Sequence, residues 1–137
     1  MKSRSELRDI IIKIIYQFIL YKDSTITYDI DELIKEQLEV ENDFVNTCVH
    51  GIIDNYDKLV RLANKYLNNW TLDRLSKVDQ AILLLGIYEL KYTETPSIVS
   101  INEAIELSKN YSDDAVVKMI NGVLDKVYHD EVGEAHE

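Results

Sequence analysis

Arg4 and Arg8 stand one helical turn apart near the start of the chain, with Lys2 just ahead of them. At that spacing the two side chains share one face of a helix tip, roughly in line with Ile11 and Ile15 on the side expected to be buried. No other group of residues suggests covalent chemistry. His50, His129 and His136 are far apart and form no zinc-binding pattern. Cys48, the one cysteine, sits among Phe44, Val45, Val49 and Ile52 and reads as a small core residue. The acid pairs Glu103 with Glu106 and Asp113 with Asp114 fall in helix first turns, where capping and the helix dipole account for them. The residues point to binding, with no enzyme activity, metal or cofactor called for.

The elements that must position the arginines are helical. The stretch "SRSELRDIIIKIIYQFILY" leaves polar residues only along a narrow stripe of Glu6, Asp9, Lys13 and Gln17, so a helix apolar almost all round is expected to be enclosed by others. Ser3-x-x-Glu6 opens it as a capping box, and it runs to about Tyr21. After a polar stretch, a short helix is expected around Ile30 to Leu38. A longer one starts near Asn42, with a break near Asp54 to Asp57 before it resumes to Leu67. "NNWTLDRLSK" reads as a turn capped by Thr71, followed by a strongly apolar helix from Ser76 to Tyr92. Pro96 forces a break, Ser100-x-x-Glu103 reads as a second capping box, and that helix ends near Tyr111. Ser112 is expected to cap a last helix, Asp113 to about Tyr128, and residues 130–137 to form a frayed acidic tail. One proline, four glycines and no alternating pattern make this an all-α chain, read as one domain over residues 1–137.

Gly122 lies inside the last helix, where glycine costs about 1 kcal/mol against alanine, so another helix is expected to cross it closely. Asn102 and Asn121 are expected to tie loop or helix-end backbone.

The net charge of −10 argues against a protein that coats nucleic acid by bulk electrostatics. The charge is uneven: residues 1–22 carry +3, the remainder −13, and residues 23–57 hold ten acids against Lys35 alone. Those acids read as a solvated face or as a docking face for a basic partner. No apolar run approaches the roughly 20 residues that span a bilayer, and no secretory cleavage pattern is evident, so the chain reads as a soluble, reducing, cytoplasmic protein without a membrane partner.

Three blocks in order, "VDQAILLLGIYEL" (78–90), "VSINEAIELSK" (99–109) and "MINGVLDKV" (119–127), together with the basic opening helix, resemble the NusB family of transcription antitermination factors. The resemblance covers Ser3 to Tyr21 and Phe44 to Val127. It implies an all-α fold of about seven helices in two packed subbundles. It also implies an RNA-binding function in ribosomal RNA transcription. The partners implied are the small-subunit ribosomal protein acting as NusE and boxA-like single-stranded RNA, with other antitermination factors and RNA polymerase engaged indirectly. The family's RNA-facing residues map onto Lys2, Arg4, Arg8, Tyr66, Lys118 and Met119, and an acidic partner-face position maps onto Asp79. Leu84 stands where the family usually has arginine, and Met119 where it usually has phenylalanine. These departures keep an alternative open: a NusB-fold protein-interaction module or homodimer with a weakened RNA face.

Overall fold

The computed structural model describes residues 1–133, and the helices follow in the order α1 (Arg4–Tyr21), α2 (Ile30–Gln37), α3 (Asp43–Asp54), α4 (Tyr56–Tyr66), α5 (Lys77–Tyr92), α6 (Ser97–Tyr111) and α7 (Asp114–Val127). A 3-10 turn, Leu72–Arg74, precedes α5, and a π turn, Tyr128–Val132, extends α7. No strand occurs among the described residues. α1–α3 and α4–α7 form two subbundles packed side by side, with α5 at the seam: α1 and α3 pack on it from one side, α4, α6 and α7 from the other.

α5 is apolar all round because it is enclosed all round, and every residue from Asp79 to Leu90 is buried. α1 lies antiparallel beside it and hides Leu7, Ile10 to Ile12, Ile14, Ile15, Phe18 and Ile19, leaving the polar stripe with Tyr16 and Leu20 outside. The Ser3 and Glu6 capping box that starts α1 is present as expected. Asn42 caps α3 through Val45 N–H, and the expected break falls at Asn55, between α3 and α4.

Several local expectations are overturned. Ser100 is not a cap. α6 starts directly after Pro96, which places Ser100 in the first turns with its hydroxyl buried and without a partner among the described residues. Ser112 ends α6 rather than capping α7; Asp113 takes that role, accepting from Val116 N–H, while the Ser112 hydroxyl donates to Asp79. Thr71 makes no cap, since its hydroxyl turns to Asp73 and the Leu72 N–H donates to Asn64 Oδ1 at 2.7 Å. Asn102 and Asn121 are both exposed. Residues 130–133 are not frayed: Val132 is buried, and Glu131 accepts from the Tyr66 hydroxyl at 2.5 Å and Lys65 Nζ at 2.9 Å. Residues 134–137 of the expected tail lie outside the described residues.

Arg8 is the largest correction. The side chain that the resemblance implies faces RNA is only 3% exposed, packed against Glu89 on α5, itself 1% exposed. Arg8 Nε and Nη2 donate to the two Glu89 oxygens, each at 2.9 Å, and Thr95 Oγ1 donates to Glu89 Oε1 at 3.3 Å. The bidentate fork fixes the register of α1 on α5. Truncating one partner strands the other charge. Arg8→Ala or Glu89→Ala should therefore lower unfolding stability by roughly 3–5 kcal/mol, whereas Arg8→Met with Glu89→Leu should recover most of it. Urea denaturation of the set measures this; single mutants as stable as the parent would show that the pair is not holding the helices together.

Close approaches fall at Gly51 and, against Leu124, at Gly86, not at Gly122. A Cβ at Gly51 would fall on the ring of the buried Tyr88, while one at Gly122 meets nothing within 4 Å. The two alanine substitutions should have opposite signs. Gly122→Ala should stabilise by about 1 kcal/mol through helix propensity, and Gly51→Ala should destabilise by roughly 1–3 kcal/mol through overpacking. Thermal midpoints of the two variants decide it.

Candidate functional site

The tip of α1 separates its two arginines by environment. Arg8 is neutralised inside, with Glu103 carboxylate 3.9 Å from its remaining nitrogen. Arg4, one turn earlier, is exposed and has no carboxylate partner among the described residues. Its guanidinium lies 4.0 Å from the centroid of the Phe44 ring at the start of α3, a cation–π contact, and the Arg8 guanidinium lies 5.4 Å from the same ring. Lys2 is exposed just ahead of the helix. Behind Phe44, burial pushes the Cys48 thiol up to about 12, so it stays protonated and takes no part as a thiolate nucleophile.

The other expected residues are spread over the surface. Leu124 of α7 packs on Gly86, which sets Lys118 beside the first turn of α5. Arg4 lies past the other end of α5, beyond the Arg8–Glu89 contact. At 1.5 Å per residue the two stand roughly 20 Å apart along that axis. Lys118 is exposed and Met119 is half-buried against the core. Tyr66 is 8% exposed, its hydroxyl is committed to Glu131 and Lys65 Nζ lies 5.2 Å from its ring centroid, so little of the ring is open. Hydrogen bonds from Tyr66 and Lys65 hold Glu131 below the usual carboxylate range. Leu84 is fully buried, so an arginine's absence there alters the core and leaves the surface charge as it is.

Asp79 is also mostly buried, accepting from Ser112 and thereby tying the end of α6 to the first turn of α5. Its neighbour Val78 lines an apolar groove of about 340 Å³ with Ile12, Tyr16, Gln17, Gln37 and Tyr111. In that region a Gln17 side-chain oxygen is buried without a hydrogen-bond partner among the described residues. Tyr111 donates to Asp9 Oδ1 at 2.5 Å, joining α6 to α1, and this hydrogen bond to a carboxylate raises the phenol to about 12.

Among the described residues, no group of three or more His, Cys, Asp or Glu side chains is placed to hold a metal ion. No helix among them is long and apolar enough to cross a membrane. Sequence reasoning missed Glu89 and Phe44. A lone carboxylate inside an apolar helix was the available signal for Glu89; for Phe44 there was none, because its partner lies on another helix.

The model of the NusB family matches residues 5–129. The chain is 39% identical over 128 residues to the transcription antitermination protein NusB of Campylobacter jejuni, covering 91% of this chain and 95% of that protein. It is 43% identical over 104 residues to the Bacillus subtilis protein of the same name, covering 74% and 79%. Its fold is similar to that of T. maritima NusB, with a TM-score of 0.85 and 29% identity over 98% of this chain and 96% of the other. A likeness of fold alone, with a TM-score of 0.79 and 24% identity over 92% and 96%, relates it to a chain of the crystal structure of antitermination factors NusB and NusE in complex with dsRNA. Three sequence blocks in order, an α5 enclosed by two subbundles and relatives matched over nearly their whole length lead to one conclusion: the chain belongs to the NusB family of transcription antitermination proteins.

Proposed function

We propose that the protein pairs with the ribosomal protein acting as NusE and binds boxA-type single-stranded RNA during ribosomal RNA transcription. The observation that carries this reading is the free Arg4 guanidinium, exposed beside Lys2 at the one basic end of an acidic chain. Lys2 and Arg4 serve phosphate and base edges. Lys118 and Met119 extend the track toward the start of α7, and Tyr66 contributes through the little of its ring that is open. Arg8 acts from inside, by fixing the helix that carries Arg4.

The ribosomal partner docks over the apolar groove next to Asp79. Tyr16 and Val78 give it apolar contact, and the Gln17 oxygen offers an acceptor for a partner N–H. The acidic body attracts a basic protein and repels RNA elsewhere, which confines the RNA to a short track.

Few phosphates are neutralised, so the salt slope should be shallow: about −0.7 per contact, hence roughly −2 to −3 for three or four contacts. Arg4→Ala should weaken boxA-like RNA binding by the heterodimer at least tenfold and leave the thermal midpoint in place, since an exposed arginine adds little stability. Tyr16→Ala should do the reverse, costing about 2 kcal/mol in binding of the ribosomal partner. Fluorescence anisotropy at two salt concentrations measures the RNA arm, and calorimetry the protein arm. A parent heterodimer that binds no RNA would remove this reading in favour of a protein-interaction module.

A further inference from the structure

Beyond the α1 tip, an open groove of about 700 Å³ runs between the start of α3, the end of α5 and the start of α6. Arg4, Arg8, Phe44 and Tyr92 line it together with the acids Asp43, Glu94 and Glu103. Tyr92 stacks on the buried Tyr88, with ring centroids 5.4 Å apart and planes at 26°, yet remains 43% exposed. One of its faces is thus held by Tyr88 while the rest of the ring is open. Opposite it, Phe44 carries the Arg4 guanidinium on its face.

We infer that this groove takes one unpaired RNA base, with Tyr92 as its stacking face and Phe44 as the positioning residue that holds the Arg4 guanidinium for the adjoining phosphate or base edge. The inference rests on the RNA-binding reading above and assigns it residues that the family resemblance did not supply. The chemistry is that of single-strand recognition: π faces for bases, and a planar cation whose hydrogen-bond donors lie at its edge. A ring beneath a guanidinium restricts its orientation without competing for those donors, unlike a carboxylate such as Glu89, which consumes them. The three acids that line the groove oppose backbone phosphate, so it selects a base face rather than a run of phosphates. Glu103 is partly occupied, accepting from Ser5 Oγ at 2.8 Å, whereas Glu94 is exposed and its side chain makes no ion pair among the described residues.

The test uses the full chain with its ribosomal partner and a boxA-like oligoribonucleotide carrying 2-aminopurine, whose fluorescence is quenched on stacking. Tyr92→Leu should abolish the quenching at one nucleotide and weaken binding roughly tenfold. Phe44→Leu should weaken binding by a similar factor, with Arg4→Ala adding little on top of it, because both remove the same oriented group. Glu94→Gln should tighten binding severalfold. Thermal midpoints verify that each variant is folded, and Phe44→Tyr, which keeps a ring under Arg4, should restore affinity if the fold is not the cause. If Arg4→Ala abolishes RNA binding while Tyr92→Leu and Phe44→Leu leave it intact, the groove inference is wrong and the proposed function stands. If Tyr92→Leu weakens only the ribosomal partner, the groove is a protein-docking site and the inference is overturned. If the parent complex binds no RNA, the proposed function itself falls, and this inference with it.

Discussion

A carboxylate with 1% exposure inside an otherwise apolar helix is a demand on the whole molecule. A carboxylate buried in the seam between two subbundles has to be matched by hydrogen-bond donors with good geometry. A cation comes from Arg8, on a helix 81 residues away in sequence, and the bidentate contact sets both the position and the rotation of α1. With α1 held there, its isoleucine faces close over α5 and α3, and its tip projects beside α6. Exchange of this pair for apolar residues would keep the packing. The ion pair's particular contribution is register, because a fork of two parallel hydrogen bonds tolerates little sliding.

The same interaction shapes the surface. Of two arginines one turn apart, the pair consumes one and leaves the other. Arg4, with no carboxylate partner among the described residues, rests on Phe44. On a chain of net charge −10, a single oriented guanidinium next to Lys2 is a localised cationic point rather than a field. A nucleic acid therefore meets one small attractive patch on a repulsive body, whereas a basic protein meets attraction over most of it.

The helix ends show how far local signals reach. Ser3, Asn42 and Asp29 cap the helices that follow them, because a side-chain oxygen near a first-turn N–H is a relation spanning only three residues. The same pattern failed at Ser100-x-x-Glu103. Pro96 already pre-sets the backbone that starts α6, so the helix begins earlier and Ser100 is carried into the interior. Glycine was equally ambiguous: Gly122 looked like a crossing point and faces open space, while Gly51 is the position that Tyr88 covers. Both lie within helices, and nothing in their neighbouring residues distinguishes them.

Helix number, the α3–α4 break, the apolar faces and the family blocks were all determined by the chain itself. They depend on periodicity and short-range hydrogen bonding, which are written in consecutive residues. The division of labour between Arg4 and Arg8, the commitment of Asp79 to Ser112, and the ordering of Val132 and Glu131 were decided only by tertiary structure. Each depends on a partner at least 33 residues away, and on whether water or protein surrounds the group when the two meet. Spacing along a helix tells which side chains share a face. It carries no information about what that face is pressed against, and burial converts the same arginine from a ligand for phosphate into a fastener of helices.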